Sequence, residues 1–255
     1  MGRLDDRVAL ITGAGRGIGR AIAEAYAAEG AIVALLDRRA DLLEQVAAEL
    51  PGTVPFVGDV SDEPRVEAVV QGIVDRMGRL DVLVNDAAVQ VEARLLDHST
   101  ADFRAIVDTN LLGTFLCSRA ALRPMLARGS GVIINLSSIL GLVGDALLPV
   151  YSMTKAGILG LTRSTAAAYG ADGIRCVALC PGDVDTELNQ AYFASQPDPD
   201  GFRGRIEREY PMRRIARPEE IARVAVFLAS DDASFVNGSH VLVDGGLLAR
   251  PFDLY

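Results

Sequence analysis

The sequence predicts an α/β fold in which a doubly wound parallel sheet carries helices on both faces. Three observations predict it. Short apolar, β-branched segments alternate with helical ones; the first of these segments runs into a glycine-rich turn that opens a helix; and unusual residues recur where the strands end. Such alternation buries a parallel sheet on both faces. No linker-like stretch divides the chain, so residues 1–255 read as one domain.

The elements follow in order. Arg7–Thr12 (RVALIT) reads as a strand. Gly13-Ala14-Gly15-Arg16-Gly17-Ile18-Gly19 follows, then an Ala-rich helix over Arg20–Glu29 that Gly30 ends, then a strand over Ile32–Leu36 finishing on Asp37. This β-turn-α-β unit of about thirty residues is a dinucleotide-binding signature: glycines permit the tight turn and let backbone N–H groups approach a pyrophosphate at a helix N-terminus. Asp37 can accept hydrogen bonds from the adenosine ribose. A 2′-phosphate there would meet a like charge, at a cost of about 4 kcal/mol at close range, so Asp37 favours NAD over NADP. Arg16, Arg38 and Arg39 pull the other way, because guanidinium groups suit phosphates.

Asp41-Leu-Leu-Glu44 reads as a capping box for a helix to Leu50, which Pro51-Gly52 breaks. Val54–Val57 is a strand running to Asp59-Val60, and Ser61–Met77 a helix with Pro64 in its first turn. Leu80–Val84 is a strand ending at Asn85, and Ser99 with Asp102 caps a long helical region to about Ala127 with Asn110 at its middle. Val132–Leu136 runs into Ser137-Ser138, and Pro149 can start a helix through Tyr151 to Tyr169. Ile174–Leu179 is a strand, Pro181-Gly182 opens a long irregular stretch to about Arg217, Pro218–Ser230 is a helix, and Val241–Val243 a last strand. Ligands of such sheets bind beyond the C-terminal strand ends, where Gly13, Asp37, Asp59, Asn85, Ser138 and Pro181 all fall.

Composition excludes several classes. The formal charge of −9 disfavours nucleic acid, which needs a basic face. No apolar run is long enough to span a bilayer, the charged start does not read as a signal peptide, and Asp6 replaces the Ser or Thr of a myristoylation motif. Cys117, Cys176 and Cys180 lie in apolar segments without metal spacing, and read as buried thiols of a cytoplasmic protein. His98 and His240 are far apart in sequence, and no metal is expected.

The chemistry is expected at Tyr151-x-x-x-Lys155. Residues four apart on a helix share a face. An ammonium group beside a phenol favours the phenolate and lowers a pKa that is ordinarily near 10. The two residues therefore read as a tuned acid/base.

Together, Thr12-Gly-x-x-x-Gly17-x-Gly19, Asp59-Val60, Asn85-Asp-Ala-Ala88, Asn110, Ser138, Tyr151-x-x-x-Lys155 and Pro181-Gly182-x-x-x-Thr186 resemble the short-chain dehydrogenase/reductase family over nearly the whole chain. Ser138 stands thirteen residues before Tyr151, the spacing this family shows. The resemblance implies a Rossmann-type sheet of seven strands, a homotetramer or homodimer, and a tetrad of Asn110, Ser138, Tyr151 and Lys155. Tyr151 would exchange the hydroxyl proton, Lys155 would also hold the nicotinamide ribose, Ser138 would bond the substrate oxygen, and Asn110 would hold a relaying water. Val184 and Thr186 would contact the nicotinamide carboxamide. One departure is visible: the family usually reads Asn-Asn-Ala-Gly where this chain has Asn85-Asp86-Ala87-Ala88, which puts a carboxylate near the adenosine half.

The expected reaction interconverts a secondary alcohol and a ketone by hydride transfer. Gln90, Leu140, Asp145, Leu147, Asp183, Asn189 and Tyr192 are expected to face the substrate, and the several polar ones among them suit a polyol, sugar or hydroxy-ketone better than a steroid. Residues 188–214 exceed an ordinary connection and read as a lid. The apolar tail Leu247–Tyr255 is expected to pack on a neighbouring subunit or on its own chain. The competing readings are an NADPH-dependent 3-oxoacyl thioester reductase, which Asp37 opposes, and a non-catalytic NAD-binding sensor, which the complete tetrad opposes.

Overall fold

The structure, a computed structural model, describes residues 2–249. Each apolar segment becomes a strand of one parallel sheet, in the order β3-β2-β1-β4-β5-β6-β7. β1 (Val8–Thr12) lies centrally because its residues are apolar on both faces. Ala9 and Ile11 join the cluster with Ile22, Tyr26, Ile221 and Ala225, and Val8 and Leu10 join the opposite one with Val66, Ile73, Leu116 and Met125. The glycine turn leads into α1 (Gly17–Ala28), and β2 (Ile32–Asp37) pairs beside β1.

α2 (Ala40–Glu49) corrects one expectation: Asp41 is inside its first turn, not at its cap, and pairs with Arg39 at 2.6 Å. A pattern of Asp followed by Glu three residues on cannot show which residue leaves helical dihedrals. β3 (Val54–Val57) precedes α3 (Glu63–Met77), where Asp62 takes the cap and accepts from Arg65 N. β4 (Val82–Asn85) starts after Asp81, whose Oδ2 accepts from Val8 N at 2.8 Å.

The long helical region is divided. α4 (Thr100–Val107) begins with the expected Ser99–Asp102 capping box, a π turn follows over Asp108–Leu112, and α5 (Gly113–Arg128) continues the path. π turns often mark functional positions, and Asn110 occupies this one. β5 (Gly131–Leu136) leads to α6 (Pro149–Tyr169), started by Pro149, and then to β6 (Ile174–Pro181).

The stretch expected to be irregular holds two helices. Thr186 caps α7 (Glu187–Ala194), and Asp198, with Pro199 at the first position, starts α8 (Pro199–Glu209). The prolines and aspartates that read as loop punctuation serve as helix starts. Phe193, Tyr210 and Ile215, with Tyr192, Phe202, Ile206 and Leu247, form a separate small core beneath them. α9 (Pro218–Ala229) and β7 (His240–Val243) complete the fold. Leu247 thus packs on its own chain; residues 250–255 of the apolar tail lie outside the described residues. No helix among the described residues is long and apolar enough to cross a membrane.

Candidate active site

All seven strands are parallel, so their C-terminal ends share one edge, where a cavity of about 790 Å³ opens. Gly13, Arg16, Gly17, Ile18 and Asp37 line one end of it, with Asp59 and Val60 beside them. Gly13 and Gly17 have φ of 68° and 58°, the left-handed region where glycine is unstrained. The turn is also tightly approached. A Cβ on Gly13 would lie 2.9 Å from Ala87 Cα, and one on Gly19 would lie 2.4 Å from the Gly13 carbonyl oxygen and 2.7 Å from Asp86 Oδ2. Thr12 Oγ1 accepts from Asp86 N at 3.0 Å and Ala87 N at 3.1 Å, which seats the next strand end against the turn. The Asp37 carboxylate accepts from Gly15 N at 3.1 Å through Oδ2 and from Arg39 N at 3.0 Å through Oδ1. Burial works to raise the Asp59 pKa, but bonds from Ser61 N and Oγ leave it net lowered, so this carboxylate is ionised.

Tyr151, Lys155 and Ser138 line the other part of the cavity. Lys155 is 3 % exposed, donates to the Leu136 carbonyl at 2.7 Å, and holds its Nζ 5.3 Å from the centre of the Tyr151 ring. Ser138 accepts from Leu140 N at 3.1 Å and hydrogen-bonds Tyr151. Side-chain electrostatics depart from the sequence expectation. Burial pushes the Tyr151 phenol well above its ordinary value, Asp86 raises it further, Ser138 lowers it and Asp183 raises it. Burial also lowers the Lys155 pKa, opposed by Asp86 and Cys180. The net shift of the phenol is upward because desolvation, which favours the neutral form of both groups, is the largest effect on each.

Asn85, Asn110 and Gly19 do not line the cavity; they support its walls. Asn85 Nδ2 donates to Ser118 Oγ at 3.0 Å and to Asn135 Oδ1 at 2.8 Å, tying β4 to β5 and α5. Asn110 is fully buried. Its Oδ1 accepts from Val89 N at 2.8 Å, and its Nδ2 donates to the Val89 carbonyl at 2.9 Å and to Thr154 Oγ1 at 3.2 Å. The side chain expected to hold a water is therefore committed to the segment that carries Val89. Pro181, Gly182, Val184 and Thr186 do reach the cavity, as do Gln90, Leu140, Asp145, Leu147, Asp183, Asn189 and Tyr192. Asn189 turns its amide inward to donate to the Val184 carbonyl at 2.8 Å.

Sequence reasoning missed Glu92, Phe202, Tyr210 and Leu248, which also line the cavity. Tyr210 is 2 % exposed; its hydroxyl accepts from Asp183 N at 2.6 Å and donates to Asp183 Oδ2 at 2.8 Å. No local pattern marks a tyrosine that tertiary packing returns to a strand end 27 residues earlier.

Comparison with known proteins agrees with this geometry. The family model described as enoyl-(acyl carrier protein) reductase matches residues 13–248. The chain is 41% identical to meso-2,3-butanediol dehydrogenase of Serratia marcescens over 249 residues, covering 97% of this chain and 96% of that one.

The chain belongs to the short-chain dehydrogenase/reductase family.

It is also 42% identical to cis-4-hydroxycyclohexanecarboxylate dehydrogenase of Sinomonas cyclohexanicum over 248 residues, covering 96% and 97% of the two chains. Among solved structures, levodione reductase superposes with a TM-score of 0.93 at 37% identity, covering 97% of this chain and 99% of that one. A gluconate 5-dehydrogenase from Burkholderia cenocepacia, in complex with NADP and tartrate, superposes with a TM-score of 0.90 at 35% identity and 97% coverage of both chains. As a member of this family the protein is an NAD(P)-dependent oxidoreductase that interconverts secondary alcohols and ketones by hydride transfer. The glycine cradle and the Asp37 carboxylate are the residues that would hold the dinucleotide, and their spacing fits one.

Proposed function

We propose that this dehydrogenase uses NAD and oxidises the secondary alcohol of a polyol, sugar or hydroxy-ketone. Asp37 carries the cofactor choice. Its carboxylate stands at the end of β2 in the cavity wall, where ribose hydroxyls can donate to it and a 2′-phosphate would be repelled by about 4 kcal/mol at close range. Arg16 and Arg38 line the same end and are the groups that would favour a phosphate. Titration with both cofactors tests the choice. NAD should bind at least about tenfold more tightly, a difference of ~1.4 kcal/mol. A preference for NADPH together with turnover of 3-oxoacyl thioesters would replace this reading with a thioester reductase.

A nicotinamide dinucleotide held by the glycine cradle and Asp37 would supply the acceptor for the carbinol hydride. Tyr151 removes the hydroxyl proton, and Lys155 supplies positive charge beside it and holds the nicotinamide ribose. Ser138 steadies the substrate oxygen. Val184 and Thr186, which line the cavity, would contact the nicotinamide carboxamide. Asn110 acts by fixing the Val89 segment of the cavity wall. α7 and α8, which cover most of residues 188–209, would serve as the lid, and buried Phe193 packs with partly buried Tyr192 and Phe202 to join the two helices.

We infer a homodimer or homotetramer, supported by the exposed apolar Phe103, Leu112 and Phe115 along α4, the π turn and α5, and a cytoplasmic protein, supported by three free, buried thiols. An absorbance screen for NADH across polyols, sugars, hydroxy acids and cyclic alcohols tests the activity. Light scattering tests the assembly.

A further inference from the structure

Apart from Lys155, the charged residues lining the substrate half of the cavity are acidic. Glu92, Asp145 and Asp183 line it. Their charges converge on Tyr192, whose pKa burial raises first and these three carboxylates raise further. Arg16, Arg38, Arg39 and Lys155 are the cations among the described lining residues. The three arginines flank Asp37 at the other end, and Lys155 is tied to the Leu136 carbonyl beside Tyr151. A carboxylate entering beside Tyr151 would therefore find no guanidinium or free ammonium on the substrate side.

Asp183 is the best placed of the three. Its backbone is held at both ends: its N–H donates to Tyr210 Oη at 2.6 Å, and its carbonyl accepts from Ala216 N at 3.0 Å. Tyr210 Oη donates back to Asp183 Oδ2 at 2.8 Å, and the phenol itself is almost wholly buried. The preceding Gly182 leaves room for this clamp, because a Cβ there would lie 2.7 Å from Tyr210 Oη. Among the described residues no hydrogen bond reaches Asp183 Oδ1. A half-buried carboxylate with one oxygen clamped and the other open to the cavity accepts hydrogen bonds and offers none. It is close enough to Tyr151 to contribute to raising that phenol's pKa.

We propose that this site takes uncharged alcohols and ketones and rejects those bearing a carboxylate or phosphate, and that Asp183, clamped by Tyr210, accepts a second hydroxyl of the substrate and makes the distinction. This rests on the reading that Tyr151 exchanges the substrate's proton in the same cavity. Of the relatives named above, two are named for acids and one, meso-2,3-butanediol dehydrogenase, for a neutral diol. Vicinal diols and hydroxy-ketones are the fitting class. They present a donor to Asp183 Oδ1 while the reacting oxygen meets Tyr151 and Ser138.

The test compares each hydroxy acid with its own amide, so that the carbon skeleton is constant and only the charge changes. 3-Hydroxybutyrate and 4-hydroxycyclohexanecarboxylate serve, with 2,3-butanediol as the neutral diol. The wild-type kcat/KM should favour the amide over the acid by roughly 100-fold, as expected for like charges about 6 Å apart at effective dielectric 20. In Asp183→Asn, which keeps the shape and removes the charge, most of that roughly 100-fold ratio should be lost, chiefly through a lower KM for the acid, and KM for the diol should rise. Tyr210→Phe should keep the acid–amide ratio, because the charge remains, while KM for the diol rises as the clamp is lost. Wild-type enzyme that turns over the acid as well as the amide overturns the proposal. So does an Asp183→Asn protein of unchanged melting temperature whose ratio has not moved. Absence of Tyr151-dependent turnover with every alcohol overturns the reading of the site itself, and this proposal with it.

Discussion

The Lys155 ammonium stands 5.3 Å from the centre of the Tyr151 ring and is anchored by a 2.7 Å hydrogen bond to the Leu136 carbonyl. Burial drives the pair in opposite directions: the phenol upward, the ammonium downward. The phenolate that alcohol oxidation requires is therefore the costly form, so the rate should climb with pH. Tyr151→Phe should reduce turnover by about a thousandfold or more, with NAD affinity within a few fold of wild type by fluorescence titration. Near-full activity in that variant would remove Tyr151 from the chemistry.

Asp86 sets where that climb occurs. Its carboxyl is raised above the usual range by burial, against Lys155 and a Gly19 backbone bond that lower it and Asp37 that raises it. When ionised it raises both Tyr151 and Lys155. In Asp86→Asn, removing the negative charge makes the phenolate easier to form, so the ascending limb of kcat/KM against pH should move to lower pH by up to about 1 unit. A profile that stays in place, or moves to higher pH, would show that Asp86 does not act on the phenol.

Asp37→Ser removes the ribose acceptor and the repulsion of a 2′-phosphate together. The ratio of NADP to NAD affinity should rise at least about tenfold, with an upper bound near a thousandfold from the charge term alone. Paired calorimetric titrations read this directly; an unchanged ratio would assign the discrimination to Arg16 and Arg38.

Asn135 is fully buried, accepts from Asn85 and donates to Thr162 Oγ1 at 2.9 Å. Asn135→Ala should cost about 2 kcal/mol, by stranding polar partners in the core. For a chain of this size that is a fall of roughly 4–8 °C in Tm, measurable by calorimetry. A change within about 0.5 kcal/mol, the range of ordinary surface substitutions, would show that the polar tie between β4 and β5 is dispensable.

Much of the molecule could be read from local pattern. Strands apolar on both faces, such as Val8–Thr12, have few other places to go than the middle of a covered sheet. Gly13 and Gly17 adopt positive φ because the turn leaves no other path. The Ser99–Asp102 cap is a contact between near neighbours and formed as expected. Where local patterns compete, the reading failed. Asp41 resembled a cap that Arg39 took, and the proline- and aspartate-rich stretch after Gly182 resembled loop but folded as α7 and α8.

By itself the sequence determined the order of the strands and of the helices up to β6, the glycine cradle, and which residues would gather at the sheet's C-terminal edge, because short-range sterics and alternation decide these. Only the tertiary structure decided how the gathered groups behave. Burial overrode the expected effect of Lys155 on Tyr151, Val89 claimed the side chain of Asn110, and Tyr210 reached back 27 residues to clamp Asp183. Desolvation and long-range hydrogen bonds depend on everything packed around a group, and spacing along the chain carries no record of them.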